Sequence, residues 1–86
     1  MTSTADIIRD KLAALAPTEF KLQDDSAMHA GHKGNSGGGH YHVLIRSAKF
    51  DGLPMLARHR MVYELLQEEL HSTIHALSIR AIASNE

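Results

Sequence analysis

Seven histidines and no cysteine set the chemistry open to this 86-residue chain. They are His29, His32, His40, His42, His59, His71 and His75. A neutral imidazole is a good ligand for iron, zinc or copper. Without cysteine the chain offers no thiolate ligand and forms no disulfide. His29-x-x-His32 and His40-x-His42 have spacings that a flexible loop folds around a metal. The second pair shares one face only where its strand is already regular. No acid–base pair of carboxylates, nucleophile–base pattern or phosphate loop accompanies the histidines, which argues against an enzyme.

The elements that must position these side chains follow from hydrophobic spacing. Ser3 and Asp6 resemble a capping box that opens a helix from about Thr4 to Leu15. Ile8, Leu12 and Leu15 share its inner face, with Arg9, Asp10 and Lys11 mostly outward. Pro17 stops it. A strand follows with Phe20 and Leu22 on one face and Lys21 and Gln23 on the other. A second strand, His40 to Ser47, places Tyr41, Val43 and Ile45 opposite His42, Leu44 and Arg46. Between them lies a flexible loop rich in glycine and histidine, residues 26 to 39. It holds Gly31, Gly34, Gly37, Gly38 and Gly39, and a loop this long in a small domain is functional or disordered.

Phe50-Asp51-Gly52 reads as a turn, and Pro54 suits the first turn of a second helix. Met55, His59, Val62, Leu66 and Leu70 form its apolar stripe, with Glu64, Glu68 and Glu69 on or near the opposite face. His59 on that stripe is expected to be a structural histidine. Its hydrogen bond would hold the helix against the sheet, since an unpaired buried imidazole costs ~1–3 kcal/mol. His71 suits the helix C-terminus when protonated. From Ile74 to Ile82 a β-branched, largely apolar run forms a third strand, in which His75 taken alone is a packed or edge residue.

The element order α-β-β-α-β predicts a small α+β fold. Its first two strands pair antiparallel, and a right-handed crossover makes the third parallel. The result is a three-stranded mixed sheet with the helices on one face. One domain over residues 1–86 is expected, burying only ~60% of its unfolded surface. Apolar residues make up 43% of the chain and charged residues 22%, and no run approaches the ~20 apolar residues of a membrane span. No basic-then-apolar leader is visible, so the expectation is a cytoplasmic protein.

The net charge of −1 gives no support to nonspecific nucleic-acid binding by the whole protein. Between residues 33 and 60, however, Lys33, Arg46, Lys49, Arg58 and Arg60 meet only Asp51 as an acid. A solvated surface is the simpler reading. Phosphate contact through Arg46, Lys49, Arg58 and Arg60 is the functional one.

Phe50-Asp51-Gly52, then Arg58-His59-Arg60-Met61-Val62-Tyr63, then His75-Ala76-Leu77 closely resembles the BolA family. Asp24-Asp25-Ser26-Ala27-Met28-His29 and His40-Tyr41-His42-Val43 resemble its first loop and second strand. The resemblance covers roughly Asp6 to Ala83. It implies a fold like the type II KH domain, although the Gly31-His32-Lys33-Gly34 letters sit in the wrong place for a KH nucleic-acid loop. It also implies a protein that is a monomer alone and a heterodimer with a monothiol glutaredoxin, with which it shares a 2Fe–2S cluster. The resemblance makes His75 a ligand and His29 its loop counterpart, with His32 the runner-up. The expected roles are iron–sulfur trafficking or iron sensing. The alternative is a DNA-binding regulator using the basic patch, and metal buffering by the loop histidines is a third.

Overall fold

The computed structural model describes residues 3–25 and 39–86. Helix α1 (Thr4–Leu12) begins where the Ser3 Oγ accepts from the Asp6 N–H at 3.1 Å, which satisfies a donor the helix itself leaves unpaired. The Asp6 carboxylate accepts from Arg9 at 3.2 Å. The expected helix to Leu15 ends in a tighter 3-10 turn, Ala13–Leu15, that still delivers Leu15 to the core. Ala16 then takes a left-handed conformation with φ 47°, closing the turn before Pro17. The buried Ser47 Oγ–H donates to the Leu15 carbonyl at 2.5 Å and ties this corner to the sheet.

Strands β1 (Glu19–Asp24), β2 (Gly39–Ser47) and β3 (Ile74–Ala83) lie in the order β1-β2-β3. β1 and β2 are antiparallel, with Phe20 opposite Ile45 and Leu22 opposite Val43. β2 and β3 are parallel, with Tyr41, Val43 and Ile45 opposite Leu77, Ile79 and Ala81. The sheet is therefore mixed, as its connections require. Tyr41, Val43, Ile45 and Ser47 are all buried, so the period-2 reading of β2 holds. They meet Ile8, Leu12, Phe50, Val62 and Leu66 from the helical layer.

Helix α2 (Met55–Leu65) and the short α3 (Gln67–Leu70) are separated at Leu66, whose φ of −104° and ψ of 17° leave helical geometry. The buried positions differ from the expected stripe. Val62 and Leu66 are fully buried, but Met55 is 52% exposed, and the buried residue of the first turn is Arg58. Glu69, expected outward, is only 8% exposed and accepts from Lys11 Nζ at 2.9 Å through both oxygens. Lys11 is correspondingly half-buried, and this hydrogen bond raises its pKa. A carboxylate turned inward needs such a cation, because an unpaired buried charge is strongly destabilising.

The end of β3 is held by a second charged cluster. Arg58 Nη1 and Nη2 donate to the two Glu86 carboxylate oxygens at 2.7 and 2.9 Å. The Arg58 hydrogen bonds, and then the Ala83 N–H, hold the Glu86 carboxyl at about 2 against an ordinary 4.5. A lowered carboxyl contributes stability above its unfolded pKa and loses it as pH falls toward the folded one. The melting temperature of Glu86→Gln should therefore lie below that of the unmodified protein at pH 7. The gap should close between about pH 4.5 and pH 2, and a gap independent of pH would refute the ion pair.

Candidate metal centre

His75 stands at an irregularity of the sheet. Gly39 pairs with Ile74 and His40 with Ala76, so His75 has no opposite number on β2. Such a bulge re-aims a side chain and is common beside functional sites. Its effect here follows from parity. Leu77, Ile79, Ala81 and Ala83 turn toward the helices, and in a regular strand His75 would point with them. The extra residue turns His75 out to solvent while Ile74 stays buried.

Beside it, the half-buried His40 ring lies 5.2 Å from the His75 ring, centroid to centroid, at an interplanar angle of 44°. His40 is thus the member of the His40-x-His42 pair that joins His75. The same parity sends His42 two residues along the outer face of β2, where its Nε2 lies 2.6 Å from Asp25 Oδ2. Gln23 donates to the other oxygen of Asp25 at 2.9 Å. His42 is therefore engaged by β1 and its end.

Both ends of the stretch 26–38 are anchored next to this point. The Asp25 N–H donates to the His40 carbonyl at 2.7 Å, and the Gly39 N–H to the Thr73 carbonyl at 2.8 Å. Gly39, expected in the loop, opens β2 instead. His29 and His32 lie outside the described residues. Chain length alone gives His29, four residues beyond Asp25, a reach of up to ~14 Å. Imidazole nitrogens at this end of the sheet fit iron chemistry. Among the described residues no three of His, Asp or Glu are grouped to hold a metal.

The remaining histidines have other surroundings. The His59 Nε2 is buried and has no hydrogen-bond partner among the described residues. The expected hydrogen bond from that nitrogen is therefore absent there. The ring instead meets Tyr63 edge-on at 6.5 Å. His71 Nδ1–H donates to the Gln67 carbonyl at 2.8 Å at the end of α3.

The four candidate phosphate contacts divide. Lys49 and Arg60 are exposed. Arg46 Nε donates to Glu19 at 3.1 Å, and its Nη1 donates to the carbonyls of Ala83 and Glu86. Arg58, a candidate phosphate contact in the sequence, is 6% exposed and committed to Glu86. Charge counting along residues 33–60 misses this, because the neutralising acids sit at positions 19 and 86.

A mixed β1-β2-β3 sheet with its helices on one face and a bulge-borne histidine defines a small αββαβ domain, and comparison places it among known proteins. Residues 12–86 match the family described as BolA-like protein. The chain belongs to this family. It is 45% identical over 80 residues to the protein BOLA1, chloroplastic, of Arabidopsis thaliana, covering 87% of this chain and 50% of that one. It is 38% identical over 80 residues to the DNA-binding transcriptional regulator BolA of Escherichia coli strain K12, covering 92% and 74%. Among solved structures, BolA1 from Arabidopsis thaliana superposes with a TM-score of 0.86 at 38% identity, over 99% of this chain and 96% of that one. The BolA domain of SufE1 from the same plant gives 0.83 at 42%, with the same coverage. The chain thus spans about half the length of the chloroplast relative. Among the described residues no helix is long and apolar enough to cross a membrane.

Proposed function

We propose that this chain is a non-enzymatic interaction module that binds a monothiol glutaredoxin and shares a 2Fe–2S cluster with it. It would act in iron–sulfur trafficking or in iron and redox regulation. The observation that carries the reading is His75, which the bulge turns outward beside both anchors of the stretch bearing His29. In this reading His75 and His29 supply two nitrogens to one iron, with His32 the alternate, and the glutaredoxin supplies the remaining ligands. When bound, the cluster supplies a redox centre whose potential is raised where imidazole replaces thiolate. The chain's part is to fix one nitrogen on a strand, bring a second on a chain segment, and keep both unprotonated. Protons accordingly compete with the metal for both nitrogens.

The protein is a monomer alone in this account and a heterodimer with its partner, located in the cytoplasm. Native mass spectrometry of the protein mixed with cluster-loaded monothiol glutaredoxin tests it. The account requires a species with the mass of both chains plus one cluster. Separate chains only, with the cluster left on glutaredoxin, would refute it.

A second reading, DNA-binding regulation, is favoured by the name of the Escherichia coli relative. Of the four basic candidates, Lys49 and Arg60 are the two left exposed and, among the described residues, without an ion pair. Under that reading Lys49→Ala with Arg60→Ala weakens binding to all DNA sequences alike and flattens the salt slope by about two contacts' worth. Titrations at two salt concentrations check this, and an unchanged slope removes these residues from the interface.

A further inference from the structure

The sheet brings two imidazoles together that neither strand would pair alone. His40 lies on the outer face of β2, by the alternation that buries Tyr41, and the bulge turns His75 out beside it. Their ring centroids are 5.2 Å apart and their planes meet at 44°. That separation carries chemical information. A zinc–nitrogen bond of ~2.1 Å puts each imidazole centre ~3.2 Å from the ion, so two imidazoles on a tetrahedral ion have centroids ~5.2 Å apart. A neighbouring pair on a square or octahedral ion has them ~4.5 Å apart. The interplanar angle is unconstrained, since each ring turns about its own bond to the metal. Room for the rest of a coordination sphere lies alongside. A depression of about 130 Å³ borders His40, with the small side chains of Ala76 and Ser78 in its wall. Asp25, whose N–H is bonded to the His40 carbonyl, places a carboxylate at the same end of the sheet. Negative charge there favours a cation.

We propose that His40 and His75 chelate one zinc-class divalent cation in the free protein, with water in the two remaining tetrahedral positions. The ligand class follows from the donors. Neutral imidazoles select borderline transition-metal ions over magnesium and calcium, which take oxygen. Both nitrogens stand on paired strands, so little ordering of the chain opposes binding. Two protein ligands, rather than the four of a closed structural site, leave the ion exchangeable. His42 takes no part, being held by Asp25 at 2.6 Å. The cation shares His75 with the proposed cluster but needs neither glutaredoxin nor His29, so either reading fails or stands without the other.

Zinc chloride added to the unmodified protein, with the imidazole nitrogens followed by NMR, tests this. The His40 and His75 ring signals should shift together and saturate at one ion per chain, while those of His59 and His71 stay in place. Magnesium chloride at the same concentration should move neither ring. The zinc shifts should persist in a double variant, His29→Ala with His32→Ala, which keeps both strand histidines. Calorimetry should show zinc affinity lower by about a hundredfold in His75→Ala and in His40→Gln, the gain that a second linked donor supplies. Far-ultraviolet circular dichroism verifies that both are folded, and the ring shifts of the unmodified protein decide the matter if one is not. No zinc shift, shifts confined to one ring, shifts lost in the double variant, or an unchanged affinity in folded His40→Gln overturns the proposal.

Discussion

Leu66→Ala lowers the unfolding free energy by about 2–5 kcal/mol, the range for emptying a packed leucine site that relaxes only in part. Leu66 has no exposed surface and belongs to the cluster that joins the helices to the sheet. It also sits at the α2–α3 break, where its N–H donates to the Val62 carbonyl at 3.1 Å and its carbonyl accepts from the Leu70 N–H at 2.9 Å. Neither bond involves the side chain, so the truncation removes packing and leaves the backbone connected. Collapse into the cavity is limited by the sheet beneath. A domain of this size has only ~5–15 kcal/mol in total, and each kcal/mol shifts the melting temperature by roughly 4–8 °C. Urea unfolding should show an earlier midpoint with an unchanged slope. An unaltered midpoint would contradict the assigned helix phase.

That phase was legible from residue spacing at Val62 and Leu66 and illegible one turn earlier. Met55 and Arg58 exchange the expected positions because a buried arginine is satisfied by partners no local pattern reveals, the Leu53 and Ala81 carbonyls and Glu86. Glu69 escapes the pattern for the same reason, its partner Lys11 lying on another helix. The strands were easier. Tyr41, Val43 and Ile45 alternate without interruption, and the pairing follows from the connections. The bulge at His75 could not be read, since one unpaired residue becomes visible only against the partner strand. The family resemblance singled out His75, but nothing local placed His40 beside it.

His75→Ala should abolish the visible signature of the proposed shared cluster while leaving the fold intact. Both halves of that result follow from the bulge. An exposed side chain that the sheet register leaves opposite no β2 residue leaves no cavity when removed, and surface substitutions of this kind stay within about 0.5 kcal/mol. Its imidazole is the one ligand in the proposed set held on a strand, so the nitrogen it provides cannot be replaced from the same position. His40, 5.2 Å away between ring centroids, is half-buried and shares its strand with the core residues Tyr41 and Val43. His29→Ala should weaken or alter the signature instead, since His32 shares the segment and restores a ligand in part. Far-ultraviolet circular dichroism and thermal melting establish that the variants are folded. Visible absorption of each with cluster-loaded glutaredoxin then separates the two histidines.

The most direct measurement is visible circular dichroism of cluster-loaded monothiol glutaredoxin titrated with this protein and, separately, with its His75→Ala variant. Replacing thiolate by imidazole on one iron changes the asymmetry and energy of the cluster's transitions. The account predicts a new spectrum that saturates at an equimolar ratio with the unmodified protein and does not develop with the variant. A spectrum that neither protein changes, or that both change alike, contradicts it.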